Sequence, residues 1–387
     1  MSTNKRTSGL KVLSSGELRP KACVVLGTRP GIVKQAPVIR ALQSAGVDFL
    51  VIHTGQHYSY DMDAQFFEDL GLPAPQYRLG SVRRYKTHAG QTAAMLKGVE
   101  DALLIEKPRV VLVGGDANTN LAGALAARKL QLVVGHVEAG LRSHDWRMPE
   151  EHNRVMIDHI SDLLFPPTET ARENLELERV RGKILVTGNT VVDALRQNLE
   201  VARERSNVLD RLGLAPREYA VLTVHREENV DNRENLQTLV RTLEALTERL
   251  HPKPVVFPVH PRTVRRFRQF GHDRLVARLA GLKVIPPLGY LDFLLLQASS
   301  SLMLTDSGGV QEEACILGVP CVTLRTTTER PETVTVGANA VAGLEPAAVI
   351  AAVDQMLGAP PGWKNPFGDG KAGTRIAAVV RDVLASD

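Results

Sequence analysis

Cysteine is nearly absent from this chain of 387 residues: Cys23, Cys315 and Cys321 sit in apolar surroundings and none has the spacing of a metal ligand set. A disulfide scaffold is thereby excluded, and the thiols read as core packing in a reducing, cytoplasmic compartment. Long hydrophobic runs are missing too, so no signal peptide or membrane span is expected. Neither sign of charge dominates, with 47 basic and 43 acidic residues giving a net +4. That balance suits anionic small molecules and is too even for a nucleic-acid partner. There is no G-x-G-x-x-G fingerprint, no Walker loop and no internal repeat. Aromatic residues make up only 4%.

What is present is enough apolar sequence for two cores, since 43% of the residues are hydrophobic and single cores rarely grow beyond about 250–300 residues. Short apolar runs alternate with helix-length amphipathic segments, the pattern of parallel sheets covered by helices. Strands are expected at 22–26, 49–53, 110–113, 132–137, 163–165 and 184–186, and again at 219–223, 255–259, 284–285, 302–304 and 321–324. The fold class is α/β, with two doubly wound Rossmann-like domains facing a shared cleft. The expected organisation is a disordered leader at 1–20, a first domain at 21–187 and a second at 188–365. A closing helix at 366–387 packs back on the first domain, and residues 359–370 read as the loop before it.

Charge collects at strand ends. His136, Glu138, Arg142, Glu150, Glu151 and Arg154 follow a buried-type strand, where charged groups are costly unless paired or used. An ion-pair network and a ligand site are both open readings. After the first strand comes Gly27-Thr28-Arg29-Pro30-Gly31-Ile32-Val33-Lys34. Pro30 suits a first helical turn, and Arg29 and Lys34 stand near free backbone N–H groups, although a plain strand-to-helix turn explains the segment equally well. A better phosphate candidate runs from Asp306 to Glu313, where Ser307 reads as an N-cap and Gly308 and Gly309 let backbone approach a diphosphate. Asp116, His225 with Arg226, and His260 with Arg262 end further apolar strands.

These segments closely resemble the non-hydrolysing UDP-N-acetylglucosamine 2-epimerases, enzymes of the GT-B glycosyltransferase-like fold. The matching motifs are GTRPGIVKQAPV, TGQHYSYDM, GDANTNLAGALAA, GHVEAGLRS, PEEHNR, DHISDLLFPPTE, GNTVVDAL, TVHREEN, VHPRT, LTDSGGVQEEA and RTTTERPETV, in order across residues 24–343. The resemblance implies elimination of UDP to a 2-acetamidoglucal and re-addition with inverted configuration at the sugar's second carbon, without metal or redox cofactor. Inverting a non-acidic carbon otherwise calls for transient oxidation by a bound dinucleotide, whose fingerprint is missing.

Carried over by motif, Asp116, Glu138 and Glu150 match the family's catalytic acids and His225 its catalytic histidine. Arg29, Lys34, His260, Ser307, Gly308, Gly309, Glu313 and Arg330 match positions that hold UDP, and Arg154 a residue near the acids. The partner implied is a UDP-sugar substrate, and the assembly a homodimer. Three positions depart from the family pattern: Gly31 replaces the usual Glu, Gln56–Met62 replaces QHREM of an allosteric site, and Ala117 replaces Thr. A hydrolysing relative releasing UDP and N-acetylmannosamine, an epimerase of another UDP-amino sugar and a non-catalytic sugar-nucleotide binder are the competing readings.

Overall fold

The computed structural model describes residues 21–56, 66–68, 70–358 and 362–386. The leader at 1–20 and the segment from His57 to Met62 lie outside the described residues. Among the described residues thirteen strands form two all-parallel sheets. The first comprises β1 (Ala22–Leu26), β2 (Phe49–His53), β3 (Tyr77–Arg78), β4 (Val110–Gly114), β5 (Val133–Val137), β6 (Leu163–Phe165) and β7 (Lys183–Ile184), in the order β3-β2-β1-β4-β5-β6-β7. The second comprises β8 (Ala220–Thr223), β9 (Val255–Pro258), β10 (Leu282–Ile285), β11 (Leu302–Thr305), β12 (Cys321–Thr323) and β13 (Asn339–Val341), in the order β10-β9-β8-β11-β12-β13.

The central strands are largely apolar because both faces are covered. In β1, Ala22, Val24 and Leu26 enter one core while Cys23 and Val25 enter the core on the opposite face. In the second sheet Leu222 and Val221 divide in the same way. Side-chain alternation makes this a necessity for a parallel sheet with helices on each side. All three cysteines are buried and free. The last helix, Ala372–Ala385, contributes Ile376, Ala377 and Val380 to the core beneath β1.

Each sheet reverses its winding direction once. The chain leaves β1 toward β2 and β3, then returns to the other side of β1 as β4; β8 and β11 are related in the same way. At such a switch point neighbouring loops diverge and leave a crevice beyond the strands' carboxyl ends. In the first sheet it lies between Gly27–Arg29 and Gly114–Asp116, and in the second between Val224–Arg226 and Asp306–Ser307. Among the described residues no helix is long and apolar enough to cross a membrane.

Candidate active site

The first helix, Arg29–Ser44, starts where the sequence places it: Thr28 is the N-cap, its hydroxyl accepts the Gly31 N–H at 3.1 Å, and Pro30 occupies the first turn. One turn on, Lys34 reaches the end of β5, where its Nζ lies 2.5 Å from Glu138 Oε2. Glu138 is buried and held at φ +69°, a left-handed conformation unfavourable for a residue with a Cβ. Its other oxygen, Oε1, is buried, has no hydrogen-bond partner among the described residues and lies 3.9 Å from Arg330 Nη2, which comes from the second sheet's side. Arg330 in turn donates from Nε to Glu312 at 2.9 Å, and Glu312 accepts from Asn189.

A second limb joins from β4. Asp116 pairs with Arg154, whose Nη1 also pairs with Glu151 at 2.7 Å. Burial opposes ionisation of Asp116, but Lys34 and Arg154 outweigh it and hold its carboxyl below the usual range. Burial likewise opposes charge on Lys34, and Glu138 with Asp116 overcomes it, keeping the ammonium above the ordinary lysine value. Glu312, by contrast, is raised, because burial and the nearby Glu138 charge prevail over Arg330. Signs therefore alternate from Glu312 through Arg330, Glu138, Lys34, Asp116 and Arg154 to Glu151.

The acidic pair at the start of the helix Pro149–Ile160 divides its duties. Glu151 is buried, accepts the Ser143 and His144 N–H groups and pins the loop before the helix. Glu150 is exposed and makes no ion pair among the described residues. His136 and Arg142 are not part of the alternating chain. They form a separate buried set with Asp158, at 2.6 Å from His136 Nδ1 and 2.8 Å from Arg142 Nη1.

The second sheet's half is built differently. Asp306, fully buried at the end of β11, accepts the N–H groups of His225 and Arg226 and the Asn229 amide, tying the two sides of the switch point together. His225 and His260 rings lie 5.5 Å apart. His260 caps the helix Pro261–Phe270, and burial, then the neighbouring His225, lowers its pKa. Ser307 occupies the N-cap position of the helix Gly308–Leu317 but its side chain makes no capping bond, so the capping expected from sequence is not made. The opening N–H groups of that helix are left for other acceptors. Glu313, half-buried one turn in, accepts from Gln297 at 2.9 Å and is pushed by burial to about 7. Arg29 is half-buried at the mouth of the first crevice.

Sequence reasoning assigned no role to Asp306, Glu312, Asn153 or Asp158. Asp306 and Glu312 lay inside a motif already singled out, but only their burial reveals what they hold. No group of His, Cys, Asp or Glu able to hold a metal ion occurs among the described residues.

With this geometry in view, comparison with known proteins is decisive. Residues 40–381 match the family model for UDP-N-acetylglucosamine 2-epimerase. The chain belongs to the UDP-N-acetylglucosamine 2-epimerase family. This family member is 51% identical over 366 residues to the UDP-N-acetylglucosamine 2-epimerase of Methanocaldococcus jannaschii, covering 93% of this chain and 98% of the relative. It is 40% identical over 367 residues to the UDP-2,3-diacetamido-2,3-dideoxy-D-glucuronate 2-epimerase of Pseudomonas aeruginosa, covering 92% and 98%. The crystal structure of the Methanocaldococcus jannaschii enzyme in complex with UDP-GlcNAc and UDP aligns with a TM-score of 0.83 over 94% of this chain and 99% of that one. The glycosyltransferase SnogD of Streptomyces nogalater, at 16% identity and a TM-score of 0.50, shares the fold alone.

Proposed function

We propose that the protein is a non-hydrolysing UDP-N-acetylglucosamine 2-epimerase that interconverts UDP-N-acetylglucosamine and UDP-N-acetylmannosamine. The observation that carries this reading is the alternating chain of charges between the two sheets, with one buried carboxylate oxygen of Glu138 left without a hydrogen-bond donor among the described residues. Removing the hydrogen on the sugar's second carbon requires a base with a free lone pair. Departure of UDP from the first carbon requires cations around the diphosphate.

In the proposed reaction a carboxylate, best Glu138, takes the proton from the second carbon. That C–H electron pair becomes the ring double bond, and the bond from the first carbon to the diphosphate oxygen breaks with its pair leaving on UDP. The 2-acetamidoglucal then accepts a proton on its opposite face while UDP re-adds. Asp116, kept ionised by Lys34 and Arg154, stabilises the oxocarbenium-like state. Glu150, exposed and without an ion pair among the described residues, handles the second proton. His225 serves the departing diphosphate, and Arg29, Lys34, His260, Ser307, Gly308, Gly309, Glu313 and Arg330 bind UDP. The same reading includes a cytoplasmic homodimer whose domains 21–187 and 188–365 close over the substrate, excluding water from the glycal.

Incubation with UDP-N-acetylglucosamine in deuterium oxide tests this directly. The expected product is UDP-N-acetylmannosamine carrying deuterium at the second carbon. Free N-acetylmannosamine with UDP supports the hydrolysing alternative, full retention of the original hydrogen rules out exchange with solvent, and no turnover leaves a binding protein.

A further inference from the structure

Gly115 immediately precedes Asp116 and is held at φ +84°, in the left-handed region that glycine enters freely. So permissive a residue does not by itself fix the direction of the next side chain. Three outside groups clamp it and the Asp116 that follows. The Gly115 N–H donates to the Val137 carbonyl at 3.0 Å. From β5, the buried His136 ring places Nε2 3.1 Å from the Gly115 carbonyl oxygen. From the helix Pro149–Ile160, Asn153 Nδ2 donates to the Asp116 carbonyl at 2.8 Å. A carbonyl and a carboxylate both only accept, so each ring nitrogen donates, Nε2 to Gly115 and Nδ1 to the Asp158 carboxylate 2.6 Å away. The other Asp158 oxygen takes the Gly140 N–H at 3.1 Å and Arg142 Nη1 at 2.8 Å. Asp158 therefore orients the ring that holds Gly115 and also ties down the turn just after Glu138.

We propose that His136 is a positioning residue for catalysis: oriented by Asp158, it holds the Gly115–Asp116 peptide so that the Asp116 carboxylate meets Lys34 and Arg154. This inference rests on the epimerase reading of Asp116. His136 touches no reacting atom. Its contribution lies in holding a carboxylate in register with Glu138, where a misplacement of about 1 Å costs on the order of 100-fold in rate.

The test separates the two ring nitrogens. An asparagine amide at this position reproduces Nδ1 and keeps the Asp158 bond but not the bond to Gly115; a glutamine amide reproduces Nε2 and keeps the bond to Gly115. Initial rates with UDP-N-acetylglucosamine, UDP affinity and melting temperature are measured for the wild type, H136N and H136Q. H136N is expected to lose kcat by about 100-fold, with KM and UDP affinity close to wild type. Its acid limb should move to higher pH as Asp116 slips from its cations. H136Q should keep kcat within about tenfold of wild type, rescued by the retained donor. Wild-type kcat in H136N overturns the assignment, as does parallel loss of kcat, UDP affinity and melting temperature in both variants, which marks a purely structural histidine. If H136N does not fold, H136Q decides alone: a loss beyond about 100-fold at wild-type melting temperature overturns the proposal. A wild type unable to epimerise the substrate brings down the functional reading and this assignment together, whereas an active wild type with an unimpaired H136N removes this assignment only.

Discussion

Two charge networks grow from the stretch between His136 and Arg154, and they differ in what they leave over. In the first, Asp158 is enclosed by His136, Arg142 and the Gly140 N–H, while Arg142 also forms a two-pronged pair with Glu178. Both His136 ring nitrogens and both Asp158 oxygens have partners. In the second, Glu138 keeps a buried oxygen with no hydrogen bond among the described residues, on a residue in left-handed backbone, and the Arg330 guanidinium sits 3.9 Å from it. A closed network holds loops in place. An open one retains unspent interaction for a ligand, and it is this strain and orphaned acceptor at one residue on which the proposed role of Glu138 rests.

The largest effect is expected from opening the closed network. Asp158→Ala leaves the buried His136 without its carboxylate and Arg142 with Glu178 alone, and should destabilise the fold by about 3–5 kcal/mol in equilibrium urea unfolding. A loss below about 1 kcal/mol would mean that this network holds no more than a surface ion pair. The open network should respond in the opposite way. Glu138→Gln and Asp116→Asn are each expected to lower kcat by at least about 100-fold while the urea midpoint stays close to wild type. Near-normal turnover in either would remove that carboxylate from the chemistry.

The smallest effect separates burial beside cations from burial beside a neutral hydrogen-bond partner. Asp116 has Lys34 and Arg154 beside it, whereas Glu313 has the neutral Gln297 amide as its hydrogen-bond partner; burial and the Glu312 charge outweigh that bond and the influence of Lys34, and push it from its ordinary 4.5 to about 7. A carboxyl raised in the folded state holds its proton there longer than in the unfolded chain. Its stabilising contribution is therefore complete below pH 4.5, declines as pH rises toward 7 and is constant above that. Glu313→Gln should remove that slope, a change on the order of 1–3 kcal/mol across the window, read from urea midpoints at several pH values. Parallel pH profiles for wild type and variant would show that Glu313 titrates normally.

Much of this architecture was legible in the residues. Continuous apolar runs such as 22–26 and 302–304 are strands because a parallel sheet under helices buries both faces, and the order of runs and helices dictates double winding. Two strands escaped notice: Tyr77–Arg78 and Asn339–Val341 are short and partly polar, and only pairing with β2 and β12 makes them strands. The motif residues Lys34, Asp116, Glu138, Arg154 and Arg330 are brought together, through ion pairs and close charges that no spacing in the sequence displays.

The sequence by itself determined the α/β class, the charged strand ends and the family resemblance, because these depend on local periodicity and on short motifs. Tertiary structure alone decided which charges face one another. Glu150 and Glu151 are adjacent and chemically alike, yet the helix phase buries one against Arg154 and leaves the other in solvent. Glu138 and His136 stand two apart on one strand end, and still one joins the open network and the other the closed one. Pairing depends on side-chain direction and on neighbours far away in the chain, and both become defined only when the sheets have formed.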